Sequence, residues 1–118
     1  SQFYSDEPQH GWCYYFTKAE LARQKGDWDQ VVKLGNKAFT LKDHPNDPAE
    51  YFVFIEGYAH TGDWEKAVEL SQVSYKISKN FVGPPLCNLW DRIARETENV
   101  AGQKVSVDQI QNKFECLP

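Results

Sequence analysis

Gly26-Asp27-Trp28 returns almost unchanged as Gly62-Asp63-Trp64, 36 residues further along the chain. Self-similarity at this period marks stacked helical hairpins, each too small to bury its own apolar face and therefore packed on its neighbours. Sliding the chain on itself by the same step puts matches where a hairpin needs them. Tyr15 and Phe16 fall on Tyr51 and Phe52, Glu20 on Glu56, Val32 on Val68, and Leu34 on Leu70. Gly26 and Gly62 stand where one helix should stop, because glycine enters the left-handed region of a helix C-terminus without steric penalty. Asp27 and Asp63 are placed to cap the next helix, whose buried face Trp28 and Trp64 open.

Working outward, Trp12, Tyr15, Phe16, Ala19 and Ala22 fall at helical spacing and predict a first helix from Trp12 to Gln24. A second runs from Trp28 to about Leu41, with Gly35 and Ala38 small enough to let helix axes approach. Asp47-Pro48-Ala49-Glu50 reads as the start of a third, with Asp47 as cap, proline at the first helical position and Glu50 closing a capping box. That helix stops at Thr61-Gly62, and a fourth runs from Trp64 to about Ser78.

Val82-Gly83-Pro84-Pro85 is read as ending one helix and starting another. Leu86, Leu89, Trp90, Ile93 and Ala94 then form an amphipathic stripe. Ser106 and Gln109 suggest a capping box for a last helix carrying Val107, Ile110, Phe114 and Leu117. The expected organisation is one all-α domain over residues 1–118: a lead-in (1–11) that either packs on the first hairpin through Phe3 and Tyr4 or is a frayed end, repeats at 12–42 and 47–79, a capping helix at 85–98 and a C-terminal helix at 106–117.

The turns resemble those of the tetratricopeptide repeat family. Its pattern has glycine and an acidic residue at the turn, then an aromatic, then a small residue three positions on. Gly62-Asp63-Trp64 with Ala67 meets it, and Gly26-Asp27-Trp28 meets it with the larger Val31. The family's first-helix aromatic is met by Tyr58 and replaced by Ala22, and its central small residue is Ala19 in one copy and Ile55 in the other. The resemblance covers Trp12 to Phe81. It implies two antiparallel hairpins stacked as a short right-handed solenoid, closed by one or two capping helices.

The same resemblance implies a concave surface lined by the first helix of each hairpin. Carried over residue by residue, it names Phe16, Glu20, Arg23 and Gln24, then Phe52, Glu56 and His60, and, with the register continued, Asn88, Arg92 and Arg95. Two phenylalanines, two carboxylates and a basic end would hold an extended or helical peptide, the aromatics as anchors and the charges setting register. The bland alternative makes the phenylalanines core and the charges a solvated face. Family members that clamp acidic chaperone C-termini carry lysine and asparagine where this chain has Phe16 and Glu20, so that activity is not implied. Glu20 and Glu56 could meet as paired carboxylates of the kind that hydrolyse glycosides, but an open groove offers no water-excluding pocket.

Composition narrows the classes. A net charge of −4 and a pI near 5.3 leave no basic footprint for nucleic acid. No apolar run is long enough to span a membrane, and no signal-peptide pattern is visible. Phosphate loops, nucleophile elbows and paired Cys-x-x-Cys motifs are absent from the sequence. The expectation is a segment without catalytic residues, cofactor or metal.

His10, His44 and His60 are scattered, and only His10 has a second ligand type at helical spacing, in Cys13. That pair is read as a surface histidine beside a packed cysteine. With three cysteines far apart, Cys13 and Cys87 are expected to serve as small buried apolar residues. A single Cys87–Cys116 bridge is the alternative for an extracytoplasmic domain.

Two functions remain open: a protein-interaction module, or the soluble terminal domain of a larger, membrane-embedded bacterial enzyme, packing on or regulating its own chain. The start at Ser1 rather than methionine suggests an excised domain. The opening Trp12-Cys13-Tyr14-Tyr15-Phe16 is similar to C-terminal soluble domains of bacterial multi-pass membrane proteins.

Overall fold

The two Gly-Asp-Trp turns form as their chemistry requires. A computed structural model describes residues 10–43, 45 and 47–116. In it Gly26 and Gly62 take φ of 70° and 87°. Gly26 N–H donates to the Arg23 carbonyl and Asp27 N–H to that of Ala22, and the second turn repeats both bonds from Gly62 to Ala59 and from Asp63 to Tyr58. Each pair satisfies carbonyls that a helix end leaves open. Asp27 then accepts from Gln30 N–H and Asp63 from Lys66 N–H, both at 3.2 Å.

The helices so delimited are α1 (Trp12–Gln24), α2 (Trp28–Ala38), α3 (Phe52–His60), α4 (Trp64–Ile77), α5 (Lys79–Glu96) and α6 (Gln103–Lys113), with a 3-10 turn (Pro48–Tyr51) leading into α3. No strand occurs among the described residues. The architecture is all-helical and repeat-like. α1 packs on α2 and α3 on α4, α3 lies against both members of the first pair, and α5 lies against α3 and α4 and carries α6.

Glycine makes the junction between the pairs. A Cβ on Gly35 of α2 would sit 2.9 Å from the Phe54 ring, and one on Gly57 of α3 would run into Val31. Gly35, expected to let helix axes approach, thus does so between the two hairpins. Trp12, Phe39, Tyr51 and Phe54 close that junction with ring centroids 5.3–6.1 Å apart where they meet, the offset geometry that aromatic quadrupoles favour.

Several expectations are corrected. α2 ends at Ala38 rather than Leu41, because Thr40 turns its hydroxyl onto the Lys37 carbonyl at 2.7 Å and offers the backbone an alternative to helix. Asp47 caps as expected, accepting from Ala49 N–H at 2.9 Å, but Glu50 accepts instead from the Trp12 indole at 2.7 Å, so no capping box closes.

Pro84 and Pro85 do not start a helix but lie inside α5, which begins at Lys79 after a single extended residue, Ser78. The two carbonyls left without amide donors belong to Asn80 and Phe81, which face solvent, so water can replace the missing bonds. α6 starts at Gln103 rather than Ser106. Its cap is Gly102, left-handed at φ 87°, and Ser106 is buried within the helix.

The cysteines also differ from their preferred reading. Cys87 and Cys116 form a disulfide with Cα atoms 5.5 Å apart. Cys13 is a free thiol on the surface rather than a packed residue. Phe3 and Tyr4 of the lead-in, His44 and Leu117 lie outside the described residues. Among the described residues, no helix is long and apolar enough to cross a membrane.

Candidate functional site

The face shared by α1, α3 and α5 carries a buried carboxylate. Phe52, Glu56 and His60 follow one another at every fourth residue and so share one side of α3. Glu56 is only 2% exposed. Burying a charge is tolerable only where it is paired and hydrogen-bonded, and both neighbouring helices supply the pairing. Arg23 Nε of α1 donates to Glu56 Oε1 at 2.7 Å. Arg92 of α5 donates to Oε1 through a terminal nitrogen at 2.9 Å and to Oε2 through Nε at 3.3 Å.

The hydrogen bond to Glu56 holds the Arg23 guanidinium above its ordinary pKa against the opposing effect of burial, and the charges of Glu56, Glu20 and Glu96 add to it. The two arginine side chains keep 33% and 37% of their surface in solvent. Each has donors left over after binding Glu56.

One turn further, His60 Nε2 lies 2.9 Å from Glu96 Oε1 of α5, while its ring stacks on Trp28 of α2 at 4.0 Å and 9°. Glu56, His60 and Glu96 bring ligand-type atoms within 4.8 Å of one another and are the residues here that could hold a cation. Glu56 already accepts from two guanidiniums, so an ion would have to enter against two fixed positive charges. The arrangement is chemically complete as a hydrogen-bonded network tying three helices together.

At the other end the face turns apolar. Phe52, half-buried, joins Pro48, Ala49, Phe81, Val82 and Pro85, with Asp47 and Ser78 as the polar members, around a depression of about 520 Å³. Phe81, in the first turn of α5, is 82% exposed.

The structure therefore brings together four of the residues expected on this face, Arg23, Glu56, His60 and Arg92, and places Phe52 on the same side of α3. Phe16 packs half-buried on the core, Glu20 is half-buried, and Gln24 and Arg95 are exposed. Asn88 lines a different hollow, of about 570 Å³, with Tyr75, Asp91 and Phe114. At the expected basic end Arg92 is paired to Glu56 and Glu96 stands beside His60, while Arg95 is exposed. Glu20 and Glu56 do not form a carboxylate pair, because Glu56 is taken by the two arginines.

Glu96, Phe81 and the stacking role of Trp28 escaped the sequence reading. A signal for the first was present, since Arg92 stands 36 residues after Glu56 and Glu96 the same distance after His60, the step of the repeat itself. Phe81 carries no such mark, because the helix holding it begins across prolines. No family model, no curated protein and no solved structure matches the chain.

Proposed function

We propose that the chain is a non-catalytic protein-interaction module, a short right-handed tetratricopeptide-like array that holds a peptide or a partner surface against the face of α1, α3 and α5. The observation that carries this reading is Phe81, a large apolar side chain left in solvent at the rim of the Phe52 depression. Exposed aromatics beside a shaped apolar hollow are the usual anchors of interfaces. The outer edges of Arg23 and Arg92 supply donors on the same face for a partner's carboxylates or carbonyls.

Selection of a random displayed peptide library against the domain tests it. Selected peptides should lose at least tenfold in affinity on Phe81→Ala, with the melting temperature unchanged, and keep their affinity on Val105→Ala, which alters an exposed apolar residue of α6. Peptides that bind both variants like the parent would overturn the reading.

The Cys87–Cys116 bridge favours a second reading, in which the segment is the terminal domain of a longer chain, held outside the cytoplasm and packed on the rest of that protein. Disulfides persist in oxidising compartments. An antibody to the domain, used on fractionated cells, separates the two: a band far above 13.7 kDa in the membrane pellet supports the second, and a soluble band near that mass the first.

A further inference from the structure

We propose that the Cys87–Cys116 bond is a reducible latch on the last turn of the chain. Cys87 lies in the middle of α5 and Cys116 just beyond α6, and the bond closes 29 residues of sequence. Both residues are half-buried and line the hollow of about 570 Å³, so the sulfurs sit at a surface that a small thiol can reach.

The turn they hold has the same hydrogen bonds as the two Gly-Asp turns. Cys116 N–H donates to the Gln111 carbonyl at 2.9 Å, and Glu115 N–H to that of Asn112 at 3.4 Å. The left-handed position, however, is occupied by Glu115, at φ 54°, where the other turns have Gly26 and Gly62. A Cβ is disfavoured there. The turn is therefore held in part by its attachments, among them the disulfide and the buried Phe114, which meets Tyr75 at 4.4 Å.

A dithiol opens the latch in two displacements. One thiolate of the reductant attacks a sulfur of the bridge, and the other cysteine departs as a thiolate and takes up a proton. The reductant's second thiol then displaces the first sulfur and closes its own disulfide, so that two electrons and two protons pass to the protein. With the bond gone, Glu115 leaves the left-handed region, Phe114 lifts from Tyr75 and the hollow opens over α4 and α5. Helices α1 to α3 take no part in this turn and keep their packing, and Val107 and Ile110 keep the body of α6 seated.

Amide hydrogen exchange on a Cys13→Ser background, with and without dithiothreitol, tests the latch. The bond should be reduced in native buffer. Exchange at Phe114, Glu115 and Cys116 should then rise tenfold or more while α1 to α3 stay unchanged, and the Cys87→Ser/Cys116→Ser double variant should show the same pattern without reductant. Glu115→Gly, which removes the strained Cβ, should recover part of the lost protection in the reduced protein. A bond that resists reduction until denaturant is added, an unchanged exchange rate after reduction, or loss of protection throughout the molecule would each overturn the proposal. A reduced Glu115→Gly protein no better protected than its parent would overturn the role given to the left-handed turn.

Discussion

Trp28 and Trp64 follow the same glycine and aspartate, on turns that share two backbone hydrogen bonds and hold Asp27 and Asp63 at nearly the same backbone angles, yet they do different things. Trp28 is half-buried and lies flat on His60, so the first turn borders the Glu56 network. Trp64 is buried, donates its indole N–H to the Ala101 carbonyl at 2.7 Å and sits beside Trp90 at 6.1 Å, so the second turn anchors the link between α5 and α6. The repeat encodes the turn, and the next element along the stack decides the use of the aromatic. In the last turn, where glycine gives way to Glu115, a covalent bond does the holding.

The largest test of that contrast is truncation of each ring. Trp64→Ala removes a buried indole and its hydrogen bond and should cost about 3–5 kcal/mol. Trp28→Ala removes a half-buried ring and should cost about 1–2 kcal/mol by the area it covers. Urea unfolding measures both, and equal losses would show that the turn rather than the neighbour sets the energy.

The residue closing each turn from the helix side separates them next. Ala22 has that position in the first copy and Tyr58 in the second, where the phenol donates to Asn36 Oδ1 at 2.6 Å. Burial, with smaller contributions from the charges of Asp63 and Glu69, raises the Tyr58 pKa to about 12. An unfolded tyrosine titrates near 10. Between these values the unfolded chain gives up a proton that the folded chain keeps, so stability is full below pH ~10 and falls as pH rises towards ~12, by up to about 2–3 kcal/mol. Unfolding at pH 9.5 and 11.5 should show a drop larger in the parent than in Tyr58→Phe, and identical drops would place the titration elsewhere.

A third comparison concerns the glycines. Gly26 has open space where a Cβ would stand, and Gly62 has Val100 at 3.6 Å, an ordinary contact. If the left-handed backbone alone sets the cost, Gly26→Val and Gly62→Val should each destabilise by about 1–2 kcal/mol. A much larger loss at Gly62 would instead point to crowding against the α5–α6 link.

These contrasts mark what could be read from the chain. Gly26 and Gly62 were legible because a helix stop is local: the residue that tolerates positive φ and the aspartate that caps the next helix are neighbours in sequence. The Arg92–Glu56 and Glu96–His60 pairs were within reach for the same reason, since they repeat the turn-to-turn step. Pro84-Pro85 was misread because the penalty of a proline in a helix depends on whether the carbonyls of Asn80 and Phe81 meet water, which is settled by tertiary packing. The cap of α6 at Gly102 lies against the Trp64 ring, whose Cδ1 would lie 3.0 Å from a Cβ there, a contact that nothing local announces. Glu50 was assigned to its own helix end because nothing nearby in sequence announces the Trp12 indole that takes it. The Cys87–Cys116 bridge was the alternative rather than the preferred reading, because nothing local shows that α5 and α6 set the two cysteines side by side.

The smallest effect is also the cleanest test of what the repeat carries. Asp27 and Asp63 are exposed, accept the same single amide bond at the same 3.2 Å, and make no other side-chain hydrogen bond among the described residues. Removing a helix cap costs about 1 kcal/mol. Asp27→Ala and Asp63→Ala should therefore lower stability by equal amounts, although truncation of the tryptophans beside them should not. Equal losses would mean that the local code is identical in the two copies and that all the divergence lies in what each turn packs against. A cap worth clearly more at Asp63 would mean that the buried Trp64 rigidifies its own turn, so that local and tertiary contributions reinforce each other in the second copy and stay independent in the first.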